Sequence, residues 1–228
     1  MKVLSEELKR ALTSRGMRMA LLLGIGLLIV GLNYAITDPP EKSFIDVWFI
    51  AYSQSFYYLM LPLIACIPFA DTLTSDRKQG CLERLVVRER YKNVLNAKFF
   101  ANAIAGALAS ALPLLLLYLI LTLTKHNPLN HPALNSIEGR PYEIAELVNL
   151  YKTLPDLFIL VVSGAVFFIG AIFASLGMAF TLLINHRFVA LSVPFLLSNL
   201  LQYFSNRSRL LPWYLAPSVL GATISSSE

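Results

Sequence analysis

Not one charged side chain lies between Phe99 and Thr124. Wound at about 1.5 Å per residue, that run is longer than the roughly 30 Å of hydrocarbon in a bilayer. It has few ways to fold. Without water to take up backbone N–H and C=O groups, a helix must satisfy them within itself. Four more uncharged runs come close to that thickness or exceed it: Met19–Ile36, Val47–Ala70, Leu157–Asn185 and Phe188–Asn206. Only 14% of the chain is charged and its mean hydropathy is +0.61, where a soluble domain carries about 25% charged residues. The expectation is an all-α, polytopic membrane protein, one domain over residues 1–228, with spans at 19–36, 47–70, 99–124, 157–185 and 188–206.

Charge between the runs orients them. Residues 71–98 hold Arg77, Lys78, Arg84, Arg88, Arg90, Lys92 and Lys98 against Asp71, Asp76, Glu83 and Glu89. Basic segments beside span ends resist translocation, so this one belongs in the cytoplasm. Residues 125–156 reverse the balance, with Lys125, Arg140 and Lys152 against Glu138, Glu143, Glu146 and Asp156, and belong outside together with the Asp38–Lys42 turn. Within that loop Tyr142–Leu150 has the makings of a short surface helix. The N-terminus is then cytoplasmic, in a cell (plasma or inner) membrane. Residues 1–18 place Leu4, Leu8, Ala11 and Leu12 on one helical stripe, predicting an amphipathic interfacial helix with Gly16 as the break before the first span. Because the basic residues mark span ends, the net charge of +5 implies no nucleic-acid partner; the surroundings are lipid.

Within the spans, Trp48, Tyr52, Tyr57 and Tyr58 read partly as an outer aromatic belt, and Pro62 and Pro68 as the places where the second span kinks. Ala101, Ala105 and Ala109, with Ala103, Ala107 and Ala111 beside them, form small-residue stripes on the third span, and Gly170 and Ala174 do so on the fourth. Such stripes let helices approach closely in lipid. The fourth span is long enough to tilt, and His186-Arg187 makes a tight turn into the fifth. Residues 207–228 are apolar but broken by Pro212, Pro217 and Gly221, which predicts an external re-entrant segment rather than a sixth regular span. Cys66 and Cys81 read as free thiols.

Catalysis has little to work with. The five runs contain no Asp, Glu, Lys, Arg or His, so an ion-coupled carrier is disfavoured. No Walker A motif is present. Energy for any transport would come from a partner at the cytoplasmic surface. The segment offers Asp76-Arg77-Lys78-Gln79-Gly80, then an amphipathic stretch apolar at Leu82, Leu85 and Val86. On the residues alone, a docking helix and a solvated topology signal stand equal.

The order of amphipathic N-terminal helix, span pair and ADTLTSDRKQGCLERLVVRERYKNVLNAKFFANAI resembles the permease subunits of ABC-2 type transporters. The carrying motif is an acidic-Arg-x-x-Gly signature, here Asp76-Arg77-Lys78-Gln79-Gly80, with Lys98 ahead of the third span. The resemblance implies a coupling segment, with Asp71, Asp76, Arg77, Lys78, Gly80, Leu82 and Leu85 as its ATPase-coupling residues. It implies two copies of an ATP-binding subunit, which hold the ATP and Mg, and a second permease, identical or homologous. This chain itself would bind no cofactor and no metal and would not be an enzyme. Family members usually have six spans with an outer hairpin between the fifth and sixth; Leu211–Gly221 matches the start of that hairpin, and no sixth span follows in this sequence. The expected function is export of a lipophilic or amphipathic solute (peptide, drug or lipid-like). Ser53, Gln54, Tyr57, Asn199 and Gln202, polar groups in apolar spans, are candidates for the substrate path. Two other classes remain: a non-transporting scaffold or sensor that recruits a soluble partner, and a lipid-modifying enzyme drawing on His126, His131 and Glu138.

Overall fold

A computed structural model describes residues 2–37, 44–68, 72, 76, 91–124, 153–183 and 192–201. The described residues are helical, without strands. In order they form α1 (Lys2–Thr13), α2 (Arg15–Thr37), α3 (Phe44–Gln54), α4 (Tyr57–Cys66), α5 (Tyr91–Leu123) and α6 (Pro155–Leu183), followed by the shorter apolar α7 (Ser192–Leu201). Helices α2, α5 and α6 are long and apolar enough to cross a membrane, and α3 with α4 would make a fourth crossing if the bent pair is one span. The Asp38–Lys42 turn, the 125–152 loop, the His186-Arg187 turn and the 202–228 segment lie outside the described residues.

Local chemistry places the helix ends, not always where the sequence pointed. The break between α1 and α2 falls at Ser14 rather than Gly16. The Ser14 hydroxyl accepts a hydrogen bond from Met17 N–H (2.9 Å), the N-cap to N3 bond that satisfies an orphan donor. Gly16 sits inside α2 for a different reason: a methyl group there would come within 2.5 Å of Ile67 O and 2.8 Å of Pro68 O. Ser14 Oγ also donates to Pro68 O (3.0 Å), so the α1–α2 joint is fastened to the end of α4. Pro155, with no N–H to lose, opens α6, and Asp156 stands in its first turn.

The kink of the second apolar run is also displaced. Pro62 lies inside continuous α4, and Pro68 follows the end of that helix, where a proline cannot continue it. The bend, 71°, falls between Gln54 and Tyr57. Three of the four aromatics expected at an outer belt, Trp48, Tyr52 and Tyr57, are instead buried in the core, while Tyr58 is half-buried. Trp48 stacks on Tyr52 with ring centroids 5.8 Å apart, and Tyr52 leans on Tyr57 at 6.0 Å. Two of the polar tips find partners, as burial requires: Trp48 Nε1 donates to Leu114 O (3.1 Å) and Tyr57 OH to Ser110 O (2.6 Å).

The core sits where these rings meet Ile64, Leu114, Ile159 and Val166 from α4, α5 and α6. Helices α5 and α6 approach most closely along a row of small residues. Asn102, Gly106 and Ser110 recur every four positions on α5 and face Gly170 and Ala174 of α6. A methyl at Gly106 would collide with Ala174 Cβ, and one at Gly170 would lie 2.5 Å from Ser110 Oγ. Asn102 Nδ2 donates to Ala174 O (2.6 Å) across the contact. In lipid, where apolar area alone does not drive helices together, such backbone proximity and interhelical bonding do. The Ala101 and Ala105 stripe meets α1, packing on Ala11 with Leu8 at its margin.

Candidate functional site: an ion cluster at the base of α5

Helix α5 has 33 residues, about 50 Å at 1.5 Å per residue, so part of it must stand outside the hydrocarbon. Lys98 lies about 10 Å along it, where the apolar run begins, and its side chain is wholly buried. A lysine ammonium there, without compensation, would cost several kcal/mol. Compensation comes from two directions. Lys98 Nζ donates to Glu7 Oε1 on α1 (2.8 Å) and to Asp76 Oδ2 (2.5 Å). Asp76 in turn receives both arms of a guanidinium: Arg10 Nη1 donates to Oδ2 (2.9 Å) and Nη2 to Oδ1 (2.7 Å). That fork geometry matches a carboxylate and is strong for a charged pair.

Among the described residues, two acids and two bases thus form a neutral cluster. Glu7 and Arg10 are three apart on α1, with Oε2 and Nη1 3.8 Å from each other. Asp76 and Lys98 have no exposed side-chain surface, while the Arg10 side chain is 49% exposed. Glu7 Oε2 is buried with no hydrogen-bond partner, and among the described residues the 3.8 Å contact with Arg10 is the charge that compensates it there. Burial pushes the Asp76 carboxyl upward, but the bonds and fields of Arg10 and Lys98 outweigh it and hold the group below its ordinary value. Asp76 is therefore an anion throughout the neutral range.

Of the coupling residues expected from the sequence, Asp76 is placed, and its carboxylate points inward to Arg10 and Lys98 rather than outward to a partner. Asp71, Arg77, Lys78, Gly80, Leu82 and Leu85 lie outside the described residues. Four of the five substrate-path candidates are described. Tyr57 is buried in the core and bonded to α5. Ser53 Oγ donates to Ile50 O (3.1 Å) and Asn199 Nδ2 to Phe195 O (2.8 Å), each within its own helix. Gln54 is exposed beside the α3–α4 bend, and Gln202, like His126, His131 and Glu138, is outside the described residues. Among the described residues no three His, Cys, Asp or Glu side chains come together as a metal site would need.

Sequence reasoning missed Glu7, Arg10 and the burial of Lys98. It began the third span at Phe99, whereas the helix starts at Tyr91 and carries Lys98 two turns in. One signal was there: Glu7 shares a helical face with Ala11 and Ser14, next to the Leu4–Leu8–Leu12 stripe, so the helix had two faces to bury rather than one. No family model, curated protein or solved structure matches the chain.

Proposed function

We propose that this chain is the transmembrane permease subunit of an ATP-driven, ABC-2 type exporter of lipophilic or amphipathic solutes. Its energy comes from a separate ATP-binding subunit that docks on residues 71–90. In this reading the N-terminus is cytoplasmic, five runs cross the membrane, residues 207–228 turn back on the outer face, and two permeases pair with two ATPases. One observation carries it: Asp76, from the charged segment between the second and third apolar runs, is held at once by Arg10 of α1 and Lys98 of α5. The α1–α2 joint is in turn tied to the end of α4 through Ser14 and Pro68. A push on the 71–90 segment therefore reaches α5 directly and α4 through α1, as movement of packed rigid helices.

Asp76 is the anchor in this scheme, and the basic and apolar residues after it are the docking surface. Affinity purification of the tagged chain from its native membranes, followed by mass spectrometry, tests the partner. A stoichiometric nucleotide-binding protein is expected, and replacing residues 77–90 with a Gly/Ser linker should release it while the chain still inserts. Purification with no such protein would overturn the reading. A non-nucleotide soluble partner held by the same segment would instead support the scaffold.

A further inference from the structure

The bend between α3 and α4 has no part in that coupling route. Phe56 has φ 53° and ψ 16°, the one positive φ outside glycine among the described residues. An L-residue disfavours this left-handed conformation about tenfold or more. Phe56 is 60% exposed, so packing of the side chain does not hold the backbone there. Contacts on either side do. Ser55, fully buried, donates its hydroxyl to Tyr52 O (2.9 Å) and accepts from Tyr57 N–H (3.3 Å), joining the end of α3 to the start of α4. Gly31 of α2 makes the notch that receives this corner: a methyl there would collide with Ala51 O and lie 2.8 Å from Ser55 Cβ.

Against these contacts stands a simple alternative. With Phe56 in the right-handed region, residues 44–66 become one helix of about 34 Å, enough to cross a bilayer. Each half is held by its own set of neighbours. Helix α4 is fixed to both neighbours, by Tyr57 OH to Ser110 O (2.6 Å) and Cys66 Sγ to Phe173 O (3.2 Å). Helix α3 gives a side-chain bond to α5, from Trp48 (3.1 Å), and sets Phe49 edge-on against Phe158 of α6 with ring centroids 6.2 Å apart. Its Ile45, Trp48, Ala51 and Tyr52 are buried in the core, and it also packs on α2, of whose span 28% is buried, against 56% for α5 and 44% for α6. Strain at one residue, opposed by contacts between packed elements, is the makings of a two-state device.

We propose that Ser55 and Phe56 form a hinge, about which α3 swings on a fixed α4 between the bent form and a straight 44–66 helix. The hinge does not depend on the coupling reading. Its test is a spin-label distance between positions 50 and 67 in the full chain in lipid nanodiscs, with Cys66→Ser and Cys81→Ser as background. A straight helix separates the two by about 25 Å along the axis, and a 71° bend by about 21 Å. The longer distance should be populated in the parent chain or in Ser55→Ala, and Phe56→Gly should deplete it about tenfold by removing the left-handed penalty. If Ser55→Ala fails to assemble, Gly31→Ala, which fills the notch, takes its place. A single short distance in every variant would overturn the hinge, and so would a long-distance population that Phe56→Gly leaves unchanged.

Discussion

Replacing Asp76 with Asn keeps the shape and removes the charge on which two cations converge. The magnitude follows from where those cations sit. Arg10 is half-exposed, so its share is that of a surface pair, about 0.5 kcal/mol. Lys98 is fully buried and, among the described residues, keeps only Glu7 as a charged acceptor, the Asn amide oxygen being neutral; breaking a buried pair costs about 3–5 kcal/mol. Because Glu7 remains, the lower end applies, and Asp76→Asn should lose about 3 kcal/mol. Lys98→Met should lose a similar amount by stranding Asp76 and Glu7 on one half-exposed guanidinium. The double variant should lose about 4 rather than 6 kcal/mol, a coupling of about 2 kcal/mol. Cys66 provides the assay, since its thiol is buried in the native state and becomes reactive to a fluorogenic maleimide on unfolding; Cys81→Ala removes the second thiol. Each single substitution should lower the midpoint by about 10 °C, and the double by little more. Strictly additive losses, or single losses of about 1 °C, would refute the reasoning that these charges compensate one another.

The remaining predictions concern acid, packing and the α1–α2 joint. Because the Asp76 carboxyl is held below its ordinary value, its contribution is fully present at neutral pH and is lost as pH falls through that depressed value. The midpoint gap between the parent chain and Asp76→Asn should stay constant from about pH 8 to pH 5 and close below about pH 4. Gly106→Val should lower the midpoint or prevent folding, since overpacking costs about 1–3 kcal/mol and the added methyls meet Ala174. Gly26→Ala, whose Cβ would meet nothing within 4 Å, should be neutral or stabilise by up to about 1 kcal/mol. Ser14→Ala should cost about 1 kcal/mol through the lost cap and raise hydrogen exchange at Met17 N–H.

What could be read from the sequence followed from one-dimensional quantities. Apolar run length predicted the long helices α2, α5 and α6, and the Gly170–Ala174 stripe predicted a close helix contact that α5 supplies. The Asn102–Gly106–Ser110 row, lying between two alanine stripes, drew no notice, because its meaning depends on which helix faces it. The ion cluster was illegible for a similar reason. Glu7 and Lys98 are 91 residues apart, and Arg10 and Asp76 are 66 apart, and no local spacing encodes such pairs. Treating Lys98 as a topology signal also hid its burial, since a charge at the end of an apolar run looks solvated until its partners are known. The bend illustrates tertiary contact prevailing over local propensity: Pro62 was the obvious breaker, yet the chain bends at Ser55 and Phe56, where the Gly31 notch receives the corner. The aromatic residues misled because Trp48 and Tyr57 have the amphipathic character of belt residues, and their polar tips are instead satisfied by α5 carbonyls.

The central claim is that Asp76 transmits work from a docked ATPase into α1 and α5. It is tested most directly by ATP turnover in the purified complex, reconstituted in bilayers, with the parent chain and with Asp76→Asn compared at equal partner occupancy and below the variant's melting midpoint. The account predicts that the partner stays bound, through residues 77–90, while permease-dependent stimulation of turnover falls about tenfold or more. Stimulation unchanged by Asp76→Asn, with the cluster broken and the complex intact, would contradict it.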